Sequence, residues 1–178
     1  MELTLPPLPP YLPSLTWMQA DEAGRAGMSP RDFSRTLVAS NSPGGMVLSV
    51  PVVGGAPALK RLKPGQLQVS SHGDWPRVHL GAIEAAYGRE PFFQHLFPDL
   101  AEIIIHYPVS LADMNARLLS ALLEGIDFYR NIADIRGMRE AHPARFADIR
   151  QRLMRRVDPS RSVVEAFFRF GPDVAFLL

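Results

Sequence analysis

Residues 75–93 read WPRVHLGAIEAAYGREPFF, and their reading decides the fold. Trp75, His79, Ile83 and Tyr87 recur every four residues, a spacing that stacks side chains along one slowly drifting stripe of a helix. The ends are marked as well. Asp74 suits an N-cap, Pro76 a first turn where its missing N–H costs nothing, and Gly88 followed by Pro91 a C-cap and a breaker. The stripe carries two amphipathic aromatics and an imidazole where an ordinary core helix carries mostly Leu, Ile or Val. It is therefore a candidate wall of a binding site.

Downstream the chain reads as helical. Pro91–Pro98 (PFFQHLFP) brings three phenylalanines together as core filling. In 99–107 (DLAEIIIHY), Asp99 as cap with Glu102 at the capping-box position favours a helix over the strand that three isoleucines suggest. Ser110 caps a segment in which Leu111, Met114, Leu118, Leu119, Leu122 and Leu123 repeat at three- and four-residue intervals up to Gly125. Residues 127–134 and 145–157 are further amphipathic pieces, 163–170 is an apolar turn broken by Gly171-Pro172, and 174–178 is a buried strand or docked tail.

Upstream the chain reads as strands and loops. Leu3–Leu5 allows a short strand before Pro6, Pro7, Pro9, Pro10 and Pro13 impose an extended entry. Tyr11, Leu12, Leu15 and Trp17 favour packing of that entry on the body over exposure as a P-x-x-P ligand. The piece 20–27 is a weak helix, and 28–39 mixes apolar and charged residues without a clean period. MVLSVPVV at 46–53 is the best strand, with Pro51 placing it at an edge or bulge. After a Gly/Pro-punctuated loop at 54–65, carrying Lys60, Arg61 and Lys63, QLQVS at 66–70 alternates as a half-buried strand and can pair with it as a long-looped hairpin. The expected class is α/β (α+β): a small mixed or antiparallel sheet in the N-terminal half, with a helical C-terminal half packed on it. Length suits one domain, 1–178, within which sub-lobes 1–73 and 74–178 are allowed.

Composition bounds the function classes. A hydrophobic fraction of 47% with 21% charged residues is that of a globular chain. With 19 Lys plus Arg against 18 acidic residues, the charge of +1 gives no field to concentrate nucleic acid. The run Arg136, Arg150, Arg152, Arg155 and Arg156 reads as a solvated face, since it lacks interleaved aromatics. The absence of cysteine removes disulfides and thiolate chemistry and suits a reducing compartment. No segment approaches the roughly 20 apolar residues of a membrane span, and MELTLPPLPP lacks signal-peptide features, so a cytoplasmic location is expected. The five histidines form no H-x-x-x-H or H-E-x-x-H pair, so no metal is expected. Nucleotide-fold glycine motifs and the G-x-S-x-G elbow are absent, and no cofactor is expected. His79 is the most attractive titratable group, set between rings that can bind a flat substrate, and Arg35 offers a fork for a carboxylate or phosphate. The plain alternatives are a backbone-bonded core histidine and a surface salt bridge.

The order of Y-L-P-S, an arginine before a turn, L-S-V-P-V and then W-x-x-x-H-x-x-x-I-x-x-x-Y-x-x-x-P-F-F resembles the WbqC-like family of bacterial proteins. Leu111–Ile126 resembles its Leu/Asn helix. Asp134-Ile-Arg136 and the stretch FFRFGP at 167–172 resemble the C-terminal signature of the form found in Bacteroidetes. By this resemblance Tyr11, Arg35, Pro51, Trp75, His79, Tyr87, Pro91, Phe92 and Asn115 occupy motif positions. The chain departs from the family's acidic, Gln/Tyr-rich segment leading into an Arg-Asn-Arg element, since Arg25–Thr36 retains only Phe33 and Arg35. The resemblance implies a role in surface polysaccharide or O-antigen synthesis, with a sugar or nucleotide-sugar ligand and a transferase among the expected activities.

Two readings follow. In the first, an enzyme uses His79 and Arg35 as catalytic groups and Tyr11, Trp75, Tyr87 and Asn115 to bind substrate, and Trp75, His79, Tyr87 and Arg35 line one pocket. In the second, a non-catalytic binding or assembly module has the stripe as core and His79 buried against backbone.

Overall fold

The computed structural model describes residues 8–22, 25 and 27–178. The Leu3–Leu5 strand, Pro6 and Pro7 lie outside these residues, as do three positions of the 20–27 piece. The described elements are α1 (Leu15–Gln19), α2 (Pro30–Phe33), β1 (Arg35–Val38), β2 (Met46–Ser49), α3 (Gly55–Arg61), α4 (Trp75–Tyr87), α5 (Phe93–Ile105), α6 (Leu111–Gly125), α7 (Phe128–Ala141), α8 (Pro143–Met154) and α9 (Val164–Phe170). Short 3₁₀ turns at Pro64–Gln66 and Gly171–Phe176 complete them. The class is α+β, with the two-stranded antiparallel sheet in the N-terminal half and long helices after it.

The 75–87 stripe forms the helix its spacing predicts, with Trp75, His79, Ile83 and Tyr87 all buried. α6 sits at the centre, and each of its residues from the leucine ladder is buried. Its start is set by Ser110, whose side chain accepts from the Asp113 N–H. α5 packs along α6, and α9 packs on α5 through Phe168 against Phe93, with Phe167 and Phe168 fully buried. Arg169 of α9 reaches across to Glu90, after α4, and also pairs with Glu165 one turn back. No described helix is long and apolar enough to cross a membrane.

Four sequence expectations change. Residues 54–65 contain the helix α3, because Gly54 takes a left-handed φ of 80° that starts the turn and Pro57 falls in the first turn, where a missing N–H costs nothing. The strand at 66–70 shrinks to bridges at Gln68 and Val69, still antiparallel to Val52 as the hairpin requires. Asp99 caps nothing, since α5 starts six residues earlier and carries Pro98 inside it. The buried row Phe93, Leu96, Leu100 and Ile104 holds the helix together through that gap. Finally, 35–38 is a strand: Thr36 and Val38 are buried while Arg35 and Leu37 are only partly so, a period of two too short to stand out in the sequence.

The proline-rich entry packs on the body. From Pro9 to Pro13 every residue is buried. Pro9 accepts from Asn115 Nδ2, the Tyr11 N–H donates to the Phe33 carbonyl, and the Leu12 carbonyl accepts from the Thr36 and Ser162 hydroxyls. Pro13 accepts from the Val163 N–H.

Candidate functional site

A cleft of about 910 Å³ opens where α2 and β1 meet β2 and α3. Ser29 caps α2 by accepting from the Asp32 N–H, and Pro30 starts it, which places Arg31 and then Arg35 along the cleft wall. In the sheet, Arg35 stands across from Ser49, and the Val50 N–H donates to the Ser34 carbonyl. The Ser70 N–H then donates to Pro51, bringing Ser70 and His72 onto the opposite rim. Lys60 arrives on α3. Among the described residues the lining thus holds Arg31, Arg35, Lys60 and His72 and no Asp or Glu. Arg35 forms no ion pair among the described residues and also lines a smaller cavity of about 280 Å³ beside Trp17 and Asp32. Convergent guanidinium and ammonium groups in a concave site favour an anion with several oxygen acceptors.

The stripe lies beneath this wall. His79 is 4% exposed, and its Nδ1 is 3.0 Å from the Tyr11 hydroxyl. Burial holds the imidazole pKa down at about 4, partly opposed by a hydrogen bond to the Ser49 backbone, so the ring is neutral near pH 7. Burial raises the Tyr11 phenol, which keeps its proton and donates it to Nδ1. The ring also meets the Ser49 backbone, which works against burial on its pKa. Trp75 packs edge-on to His79 at 5.1 Å and donates from Nε1 to the Ser70 carbonyl at 3.2 Å. His79 and Trp75 therefore each hold a backbone group of a residue that lines the cleft.

Of the candidate catalytic and substrate-binding residues only Arg35 lines this cleft, joined there by Pro51, which also occupies a motif position. Trp75, His79 and Tyr87 are buried, and so are Tyr11 and Asn115. Asn115 donates from Nδ2 to Pro9 and Phe33, one residue before the cleft-lining Ser34, while its Oδ1 has no partner among the described residues. Tyr87 stands apart, at the far end of β1, where its hydroxyl accepts from the Ala39 N–H and burial pushes its pKa up to about 12. No motif in the sequence marks Arg31, Lys60 or His72 as site residues. They come from three segments separated by long intervals, and the signal available was the Lys60-Arg61-x-Lys63 cluster in a glycine-flanked stretch. Among the described residues, no group of three or more His, Asp or Glu side chains is placed to hold a metal ion.

A family model described as the WbqC-like protein family matches residues 31–157, which include all of the cleft and the whole stripe. Comparison with curated proteins and with solved structures returned no match.

Proposed function

We propose, from the premise that the chain belongs to the WbqC-like protein family, that it binds an activated sugar in the cationic cleft and transfers the glycosyl group to an acceptor. One observation carries this reading: Arg31, Arg35 and Lys60 converge on a cleft of about 910 Å³ with no acidic lining residue. That volume lies toward the upper end of ligand pockets, which run from about 300 to 1,000 Å³, and it accommodates a sugar together with a diphosphate. The three cations hold the phosphates and stabilise the negative charge that grows on them as the sugar departs. His72, exposed on the rim, is the imidazole placed to exchange a proton with solvent or acceptor. His79 is a positioning residue: neutral and buried, it fixes the Ser49 backbone opposite Arg35.

A second reading, a non-catalytic assembly module, is favoured by the burial of His79 and Trp75 within the core. A thermal-shift screen of the full chain against nucleotide sugars separates the two. A ligand at a hundred times its Kd adds about 2.7 kcal/mol, which for a chain of this size raises Tm by roughly 5–10 °C. The shift is expected with wild type and lost in Arg35→Gln. If no nucleotide sugar shifts wild type, or Arg35→Gln responds equally, the cleft reading is wrong and the module reading stands.

A further inference from the structure

The arginines of the C-terminal third do not form one solvated face. Arg152 pairs with Asp148 and Arg156 lies over the Phe170 ring, but Arg136 and Arg139 of α7 and Arg150 of α8 turn onto one cavity of about 300 Å³. Its wall is apolar: Ile132 and Ile135 on α7, and the rings of Phe146 and Phe176, 5.7 Å apart and tilted by 36°. Arg139 lies over the Phe146 ring at 5.7 Å. No Asp or Glu lines the cavity, and neither Arg139 nor Arg150 has a carboxylate partner among the described residues. The site shares no residue with the cationic cleft.

The like charges of Arg139 and Arg150 at one mouth repel each other, and an anion seated between them converts that repulsion into attraction. A carboxylate uses one guanidinium fork. A phosphate monoester, with three acceptor oxygens and a charge of about −1.5 to −2, can engage more than one. The phenylalanine and isoleucine wall beside the arginines offers a face to a flat ring on the same molecule, and the volume limits the ligand to about the size of a single nucleotide. We propose that this cavity is a binding site for a phosphate monoester bearing a flat ring, of the nucleoside monophosphate class, distinct from the cleft and independent of its assignment.

The two isoleucines make the test local, because no isoleucine lines the cleft. The full chain, labelled at isoleucine δ1 methyls, is titrated with adenosine monophosphate, adenosine and inorganic phosphate. Saturable shifts of the Ile132 and Ile135 methyls are expected with the monophosphate, and binding at least about ten-fold weaker with adenosine or phosphate alone. The doubly substituted Arg139→Gln/Arg150→Gln chain, both changes being at exposed positions, is expected to keep its remaining methyl spectrum and lose at least about ten-fold in affinity. Arg35→Gln leaves these shifts in place. The proposal is overturned if the monophosphate gives no saturable shift at the two methyls, if the double variant binds as well as wild type, or if inorganic phosphate binds as tightly as the monophosphate.

Discussion

Lowering the pH from 7 to 5 tests the buried state of His79 directly. The imidazole pKa lies at about 4 in the folded chain, against an ordinary value near 6.5 once unfolded. A depressed folded pKa means that the unfolded chain takes up the proton first as pH falls. The stability contributed by keeping the ring neutral is whole above about pH 6.5 and is lost progressively on the way down to pH 4. The full gap is worth about 3 kcal/mol, and between pH 7 and pH 5 the loss comes to about 2 kcal/mol. Glu165, whose carboxyl is raised chiefly by burial, works in the opposite sense, because its folded form binds a proton more readily than its unfolded form. The assay must therefore subtract everything except His79. Urea unfolding at a series of pH values is run on wild type and on His79→Gln, whose amide can accept from Tyr11 and donate to Ser49 without titrating. Wild type is expected to lose about 2 kcal/mol more than the variant between pH 7 and 5. Parallel pH profiles for the two chains would refute the claim that burial, rather than partial solvation, sets the state of this ring.

Two further substitutions probe the packing beneath the cleft and the turn after α9. Asn115→Ala removes the donor to the Pro9 carbonyl, which has no other partner among the described hydrogen bonds, whereas Phe33 keeps the Tyr11 N–H; a loss of about 2 kcal/mol by urea unfolding is expected, and one below about 0.5 kcal/mol would show that the Asn115 clamp holds nothing. Gly171→Ala places a Cβ 2.5 Å from Phe92 Cε1 at a φ of +51°, and the steric and backbone costs together predict about 3 kcal/mol, read as a fall of roughly 6–12 °C in Tm. An unchanged Tm would mean that the Phe92 ring yields freely.

What the sequence discloses follows a physical rule. Periodicity announces which face of an element is buried, so the four-residue recurrence from Trp75 to Tyr87 and the leucine ladder of α6 were legible in advance. It does not announce what packs on that face. Whether His79 meets solvent or the hydroxyl of a tyrosine 68 positions away depends on tertiary folding, and so the ring's role had to be read from its neighbours. α3 was hidden because its opening glycines and Pro57 are breakers in a helix interior yet well suited to a helix start. Four-residue β1 is shorter than the window over which alternation can be recognised, and the cleft's cations come from three segments whose proximity exists only once the sheet has formed.

The packed entry segment also orders events during synthesis. Residues 9–13 leave the ribosome before the partners that satisfy their backbone, which lie at 33, 36, 115, 162 and 163. Contacts spanning some 150 positions incur loop-closure entropy before they return any energy, so the contact of Leu12 with Ser162 is expected to form later than those of the segment with Phe33 and Thr36. Until its partners are in place, Tyr11 and Leu12 are apolar surface on a nascent chain. A chain cut short before Ser162 would leave the Leu12 and Pro13 carbonyls without their partners at 162 and 163, and its fate in the cell would be decided by chaperones and proteases rather than by the stability of the finished fold.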